Sequence, residues 1–104
     1  MSVVSVYAVF ANAEEAERVG GAVVEARLAA CVNILGPVRS IYRWDGKIES
    51  ADEVAAIFKT SDDQADALIT RIAGLHSYAV PCVVVWPIDK VLQSYAHWVE
   101  DNVG

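Results

Sequence analysis

The sequence has few of the residues on which several common protein functions depend. Its 104 residues include eight Lys and Arg against 14 Asp and Glu, a formal net charge of −6. Because nucleic-acid binding needs clustered basic side chains that neutralise phosphates, this excess of acid argues against a nucleic-acid partner. The two cysteines, Cys31 and Cys82, are too few for a disulfide framework, so we expect reduced thiols and a cytoplasmic location.

Membrane-spanning and targeting segments are also missing. No apolar run approaches the roughly 18 residues of a membrane-spanning helix. The start, Met1-Ser2-Val3, has no basic segment, so no secretory leader is expected. The chain contains no Ser-His-Asp or Cys-His nucleophile pattern, no Gly-rich phosphate loop and no CxxC pair. We therefore expect a protein that is not an enzyme.

Apolar residues, in contrast, are abundant. Hydrophobic residues make up 55% of the chain, and the mean hydropathy is positive. A length of 104 residues predicts a single domain over residues 1–104 with one core. A lone domain of this size cannot hide so much apolar surface, which favours association with other subunits.

The longest predicted strand, Cys31–Trp44, is too long for such a domain. Fourteen extended residues span roughly 45 Å, whereas a compact chain of this length is roughly 34 Å across. The strand and its partner must therefore project as an arm or bend, and Gly36-Pro37 is where a bulge is expected. The strand ends at Asp45-Gly46, a strong hairpin signal. Neither face is plainly polar, so we expect another subunit to cover the arm.

Hydrophobic periodicity and turn signals predict the other elements. Before the long strand they are a strand over 3–11 and a helix from an Asn12 cap to about residue 29. After it come a return strand from Lys47 with an interior part at 54–60 and a helix from a capping box at Ser61 to about 74–76. The chain ends with a strand over 80–88 and a helix over 92–102. The glycine pair 20–21 suits close packing of the first helix on a sheet. The order β-α-β-β-α-β predicts an α+β, ferredoxin-like sandwich with a short C-terminal helix.

Four side chains are candidate ligands for a soft or borderline metal: Cys31, His76, Cys82 and His97. Thiolate and imidazole together suit copper or zinc, and thiolate favours Cu(I). Each residue has an ordinary alternative, because an isolated cysteine is often a small buried hydrophobe and a histidine can cap a helix end. The spacing does not decide whether Cys31 approaches His76 within one subunit or across two. The three tryptophans, Trp44, Trp86 and Trp98, are expected to pack.

At these residues the sequence resembles the CutA divalent-cation tolerance proteins. The matching stretches are 28–34 (LAACVNI), 40–48 (SIYRWDGKI), 59–60 (KT), 75–81 (LHSYAVP) and 95–98 (YAHW). They follow one another in order from residue 28 to residue 98. The resemblance implies a ferredoxin-like subunit that forms a homotrimer through its hairpin arms. It also implies a role in divalent-cation tolerance and the binding of divalent metals, copper especially, near the subunit interface through Cys31 and His76.

The chain departs from the family pattern near the implied metal site. The usual segment reads His-Pro-Tyr-Glu-x-Pro-Glu, whereas this chain has Ser77, Ala79 and Cys82 at the positions of the first proline and the two glutamates. A carboxylate ligand is thereby lost. Either the metal role is weakened or Cys82 takes it over and favours softer ions.

Two other functions are known for proteins with the predicted fold. The first is a trimeric small-molecule sensor or scaffold without a metal role, by fold analogy with the PII signalling proteins. Trp44, Lys59, His76 and Tyr78 could then line a pocket between subunits, with Lys59 meeting an anionic ligand. The second, an acylphosphatase-like enzyme, needs a glycine-rich anion loop with an arginine after the first strand, and residues 10–13 (FANA) contain neither.

Overall fold

A computed structural model describes residues 2–104. It contains four strands and three helices in the predicted order: β1 Val3–Phe10, α1 Ala13–Glu25, β2 Cys31–Trp44, β3 Lys47–Ser61, α2 Asp62–Leu75, β4 Val83–Pro87 and α3 Gln93–Asp101. The strands form one sheet in the order β2-β3-β1-β4, with every neighbouring pair antiparallel. This order is that of the ferredoxin-like sandwich, so the predicted fold class is confirmed.

The two faces of the sheet differ in what covers them. Val6, Ala8 and Phe10 of β1 pack with buried residues of α1 and α2 into the main core. Since side chains alternate along a strand, Val3 lies on the opposite face, where it packs with Val99 of α3 and Ala30 in a smaller cluster. We call this second face the open face, because α3 covers only one end of it.

The β2–β3 hairpin projects from the body as an arm. The molecule measures 45 × 26 × 22 Å, and its long axis matches the length expected of the strand. The register shifts between Ile34 and Gly36, so Leu35 is an extra residue and Gly36, with a φ of 104°, follows it as a bulge. The arm turns at Asp45 and Gly46, both with positive φ. The predicted bulge and turn are therefore confirmed.

Two predicted boundaries are wrong. Helix α1 ends at Glu25 instead of near residue 29, because Arg27 has a φ of 62° and the Leu28 N–H donates to the Val23 carbonyl. Strand β4 begins at Val83 instead of 80, since Pro81 cannot donate to a ladder. Strand β3 continues from Lys47 through Ser61 without interruption.

The two predicted helix caps have different outcomes. At α1 the Asn12 Oδ1 accepts the Glu15 N–H at 2.8 Å, and Glu15 Oε1 accepts the Ala11 N–H at 3.1 Å, so this cap is confirmed. The predicted capping box at Ser61 is wrong, because Ser61 makes no side-chain cap bond. It is still part of β3 opposite Val3, which leaves its hydroxyl buried and without a partner among residues 2–104.

Membrane crossing by a helix has no support in the described chain. Among residues 2–104 no helix is both long enough and apolar enough to span a bilayer.

The two neighbouring glycines of α1 give a matched test of helix-to-sheet packing. A Cβ at Gly20 would lie 2.8 Å from Val32 Cγ1, whereas one at Gly21 would meet nothing within 4 Å. We expect Gly21→Ala to stabilise the protein by about 0.5–1 kcal/mol, because alanine is the better helix former. Gly20→Ala should instead destabilise it by about 1–3 kcal/mol, since β2 must shift. Thermal unfolding at one fixed protein concentration measures both, and equal melting temperatures would contradict the packing argument.

Candidate functional site

A pocket of about 620 Å³ lies on the open face, where the arm meets the loop between α2 and β4. This volume is within the range of small-molecule sites. Four of its lining residues are aromatic, Tyr7, Tyr42, Trp44 and Tyr78, and we call it the aromatic pocket. Its other lining residues are Val9, Ser40, Arg43, Glu53, Ala79, Val80 and Cys82.

One carboxylate, that of Glu53, lines the pocket. The Tyr78 hydroxyl donates to Glu53 Oε2 at 2.7 Å, which joins the loop to the arm. Burial and then this bond to the carboxylate raise the pKa of Tyr78 to about 12. The phenol therefore stays a neutral donor at physiological pH.

His76 supports the wall formed by Tyr78. Its ring stacks on Phe10 with centroids 5.0 Å apart and meets the Tyr78 ring at 4.7 Å. Nδ1 accepts the Tyr78 N–H at 3.1 Å, while Nε2 lies 2.7 Å from the Val9 carbonyl oxygen. Because Nδ1 is an acceptor, Nε2 carries the proton and donates to Val9. Neither ring nitrogen is left with a free lone pair for a metal ion.

Glu15 holds the residue after His76. The residue is 6% exposed, its Oε2 accepts the Ser77 N–H at 2.8 Å, and Arg18 Nη2 lies 3.7 Å from the same oxygen. Burial raises the pKa of Glu15, but hydrogen bonds from Ser77 and Ala11 outweigh burial, so the pKa lies below the ordinary 4.5. The N-terminus of α1 thus anchors the start of the pocket loop.

Cys82 also lines the aromatic pocket, and its backbone carbonyl accepts the Val9 N–H at 3.3 Å. Burial, and then the negative charge of Glu53, raise the pKa of the Cys82 thiol. Since the thiolate is the metal-binding form, this environment makes Cys82 a poorer ligand than an ordinary cysteine.

Cys31 lies elsewhere on the open face, at the start of β2. Its Sγ is 3.4 Å from the Tyr95 hydroxyl of α3, and its partner across the ladder is Lys59. Burial and the neighbouring Cys31 raise the pKa of Tyr95 to about 12. The phenol therefore remains protonated beside the sulfur.

Two of the three predicted metal ligands lie beside the same strand residue, Val9, His76 through its ring and Cys82 through its backbone carbonyl. Cys31 is level with Ser5 through Lys59, and the four residues from Ser5 to Val9 separate the two places by roughly 13 Å along the strand. Within residues 2–104 no three His, Cys, Asp or Glu side chains form a group that could hold a metal ion. Within one subunit, Cys31 therefore does not converge with His76 and Cys82.

The residues predicted to line a ligand pocket are also split between these two places. Trp44 and Tyr78 line the aromatic pocket, whereas Lys59 is outside its lining beside Cys31. Sequence reasoning missed Glu53, Tyr42 and Tyr7 as pocket residues. For Glu53 the only signal was its place at the end of the polar stretch 49–53, which does not reveal the face on which it lies.

The comparisons with known proteins agree along the whole chain. The family model of the CutA1 divalent ion tolerance protein matches residues 4–102. The divalent-cation tolerance protein CutA of Archaeoglobus fulgidus is 38% identical over 98 residues, which cover 94% of this chain and 95% of that protein. A solved structure described as the periplasmic divalent cation tolerance protein CutA from A. fulgidus has a TM-score of 0.94 at 36% identity, covering 98% of this chain and 99% of that one. The crystal structure of CutA from Xylella fastidiosa has a TM-score of 0.96 at 32% identity and full coverage of both chains.

Replacing Glu15 tests how the pocket loop is anchored. In Glu15→Gln, one of two carboxylate acceptors becomes an NH2 group that faces an N–H, so we expect a loss of about 1–3 kcal/mol of unfolding free energy at pH 7. Because the folded-state pKa is depressed, this stabilisation is present above pH 4.5 and disappears as the pH falls through the lower folded-state value.

Thermal unfolding at neutral and acid pH measures the difference between the two proteins. Glu14→Gln removes the same charge from an exposed neighbour in the same turn and should have little effect. A Glu15→Gln deficit that persists unchanged at low pH would contradict the role of the carboxylate.

Proposed function

Because the chain belongs to the CutA1 divalent ion tolerance protein family, we propose that it acts in divalent-cation tolerance as a homotrimer that binds a divalent cation, copper in particular. The role is binding and not catalysis. The observation that supports the proposed trimer is the uncovered apolar surface of the single subunit. The proposed metal site depends on that assembly.

Large apolar side chains are exposed along the arm and the open face. Ile41 is 74% exposed and Ile48 64% on the arm, and Val84 and Trp86 lie uncovered on β4. Strand β2 is an edge strand over all 14 of its residues, so its outer backbone groups can pair with another chain. Arms that pair with neighbouring sheets would cover both features.

The metal site would have to draw on more than one subunit. Cys31, His76 and Cys82 do not converge within one chain, and His76 would have to give up one of its two hydrogen bonds to coordinate a metal. Cys31 is the strongest ligand candidate, because it is half-buried on the open face and a thiol suits Cu(I). A subunit interface could bring His76 or Cys82 of one chain to Cys31 of another.

The expected location is the cytoplasm, where both cysteines stay reduced. The related A. fulgidus structure is described as periplasmic, so location is a separate question from metal binding.

Titration calorimetry with Cu(I), Cu(II) and Zn(II) tests the ligand assignment. We expect Cys31→Ser to weaken Cu(I) binding by more than about tenfold, since even changes around a ligand cost about that much. His97→Gln, which alters an exposed histidine on α3, is the matched control and should bind like the unaltered protein. Equal Cu(I) affinities for the unaltered protein and Cys31→Ser would remove Cys31 from the site.

Light scattering tests the assembly. The proposal predicts a mass of three times 11.2 kDa at micromolar concentration. The arm can be shortened by replacing residues 43–48 with Asn-Gly, which keeps Tyr42 opposite Glu49 and supplies a good two-residue turn. The shortened protein should dissociate at a higher concentration than the full chain. A monomeric mass for the unaltered protein would overturn the trimer.

A further inference from the structure

The aromatic pocket has the composition of a site for an organic cation. Tyr7, Tyr42, Trp44 and Tyr78 present aromatic rings to one cavity, and Glu53 supplies one negative charge. Aromatic faces attract cations, most strongly where water is excluded, and quaternary ammonium groups are a well-known ligand of such cages. We propose that this pocket binds a small organic cation, an amine or quaternary ammonium compound, with Glu53 as its counter-ion.

The lining argues against a divalent metal ion in this pocket. Glu53 is the one carboxylate among the 11 lining residues, whereas hard divalent cations take several oxygen ligands. Cys82 adds one thiol to the lining, which is a soft donor and not a ligand that hard cations prefer. The Tyr78 hydroxyl donates to Glu53, so its proton points at the carboxylate. A monovalent cation without coordination demands suits one carboxylate surrounded by rings.

The lining also argues against an anionic ligand. Lys59, the residue expected to meet an anion, is not part of the pocket. Arg43 is a lining residue, but on β2 it alternates with Tyr42 and Trp44, and successive side chains of a strand point to opposite faces. Glu53, the partner of Val38, is therefore the charged lining residue on the same strand face as Tyr42 and Trp44.

The carboxylate and two of the rings are held in position before any ligand binds. Tyr78 holds Glu53 Oε2, and in the described chain no other side chain bonds to this carboxylate, so Oε1 is left for a ligand. The Tyr78 ring rests on His76, which both stacks on Phe10 and bonds to Val9. On the opposite wall, the Tyr7 ring stacks on Trp86 with centroids 4.8 Å apart. Such preorganisation reduces the cost of binding.

This inference rests on the aromatic pocket staying open to small molecules in the proposed trimer. It does not require copper binding, and its test separates the two. The probes are choline and its uncharged isostere, in which a tert-butyl group replaces the trimethylammonium group. They have the same shape, so a difference between them reports the charge. Binding is followed by calorimetry on the full-length protein, with sodium chloride as the ionic-strength control.

Choline should bind the unaltered protein at least about tenfold more tightly than the isostere, because only choline gains cation–π and ion-pair energy. Glu53→Gln should weaken choline binding by at least about tenfold, and Trp44→Leu should also weaken it. Glu14→Gln removes one charge from an exposed position on α1 and should leave choline binding unchanged.

Three results would overturn the proposal: no choline binding by the folded protein, equal binding of choline and isostere, or equal choline binding by Glu53→Gln and the unaltered protein. Light scattering on each variant shows whether a loss reflects a change in assembly. The comparison of the two probes on the unaltered protein decides even if both pocket variants fail to fold. Loss of copper binding in Cys31→Ser with choline binding intact would show that the two sites are independent.

Discussion

One extra residue in β2 determines which side chains of the arm lie on the open face. Side chains alternate with a period of two along a strand, so inserting Leu35 exchanges the faces of every residue beyond it. Without that bulge, Arg39, Ile41 and Arg43 would share the face of Tyr7 and Val9. With it, Val38 pairs with Glu53 and Tyr42 with Glu49, and Tyr42 and Trp44 line the pocket. On the pocket side of the arm, the bulge thus places two aromatic side chains where two cationic ones would otherwise lie.

The loop between α2 and β4 closes the pocket because it is held at three points. Glu15 binds the Ser77 N–H, His76 binds Val9, and the Tyr78 hydroxyl binds Glu53 on the arm. These contacts use residues from α1, β1 and β3. The bond between Tyr78 and Glu53 links the position of the loop to the position of the arm. His76 is central to this arrangement as a hydrogen-bonded spacer between two rings. In one subunit that role accounts for both of its nitrogens without a metal ion.

The sequence predicted the order of all seven elements, the arm, its turn and the bulge, because hydrophobic period, Asn12 capping and the Asp45-Gly46 turn are local signals. It did not predict the face of Glu53 or the separation of Cys31 from Cys82, because both depend on register, which is a property of paired strands. The Ser61 capping box failed for a related reason. Pairing with Val3 keeps Ser61 in the sheet, and burial of its side chain there prevails over the local preference for a cap.

The open face therefore carries two separate groups of candidate ligand residues. Cys31 and Lys59 lie near α3, beside a phenol that stays protonated, while Glu53 and the rings lie where the arm meets the body. Glu53 is six residues from Lys59, the ladder partner of Cys31, so the thiol and the carboxylate are roughly 20 Å apart along the sheet and cannot share one small ligand within a subunit. If trimer formation brings Cys31 of one chain to the pocket loop of the next, the two chemistries become neighbours across the interface. Occupancy of either site would then depend on assembly, because each neighbouring arm would complete a site that a single subunit leaves open.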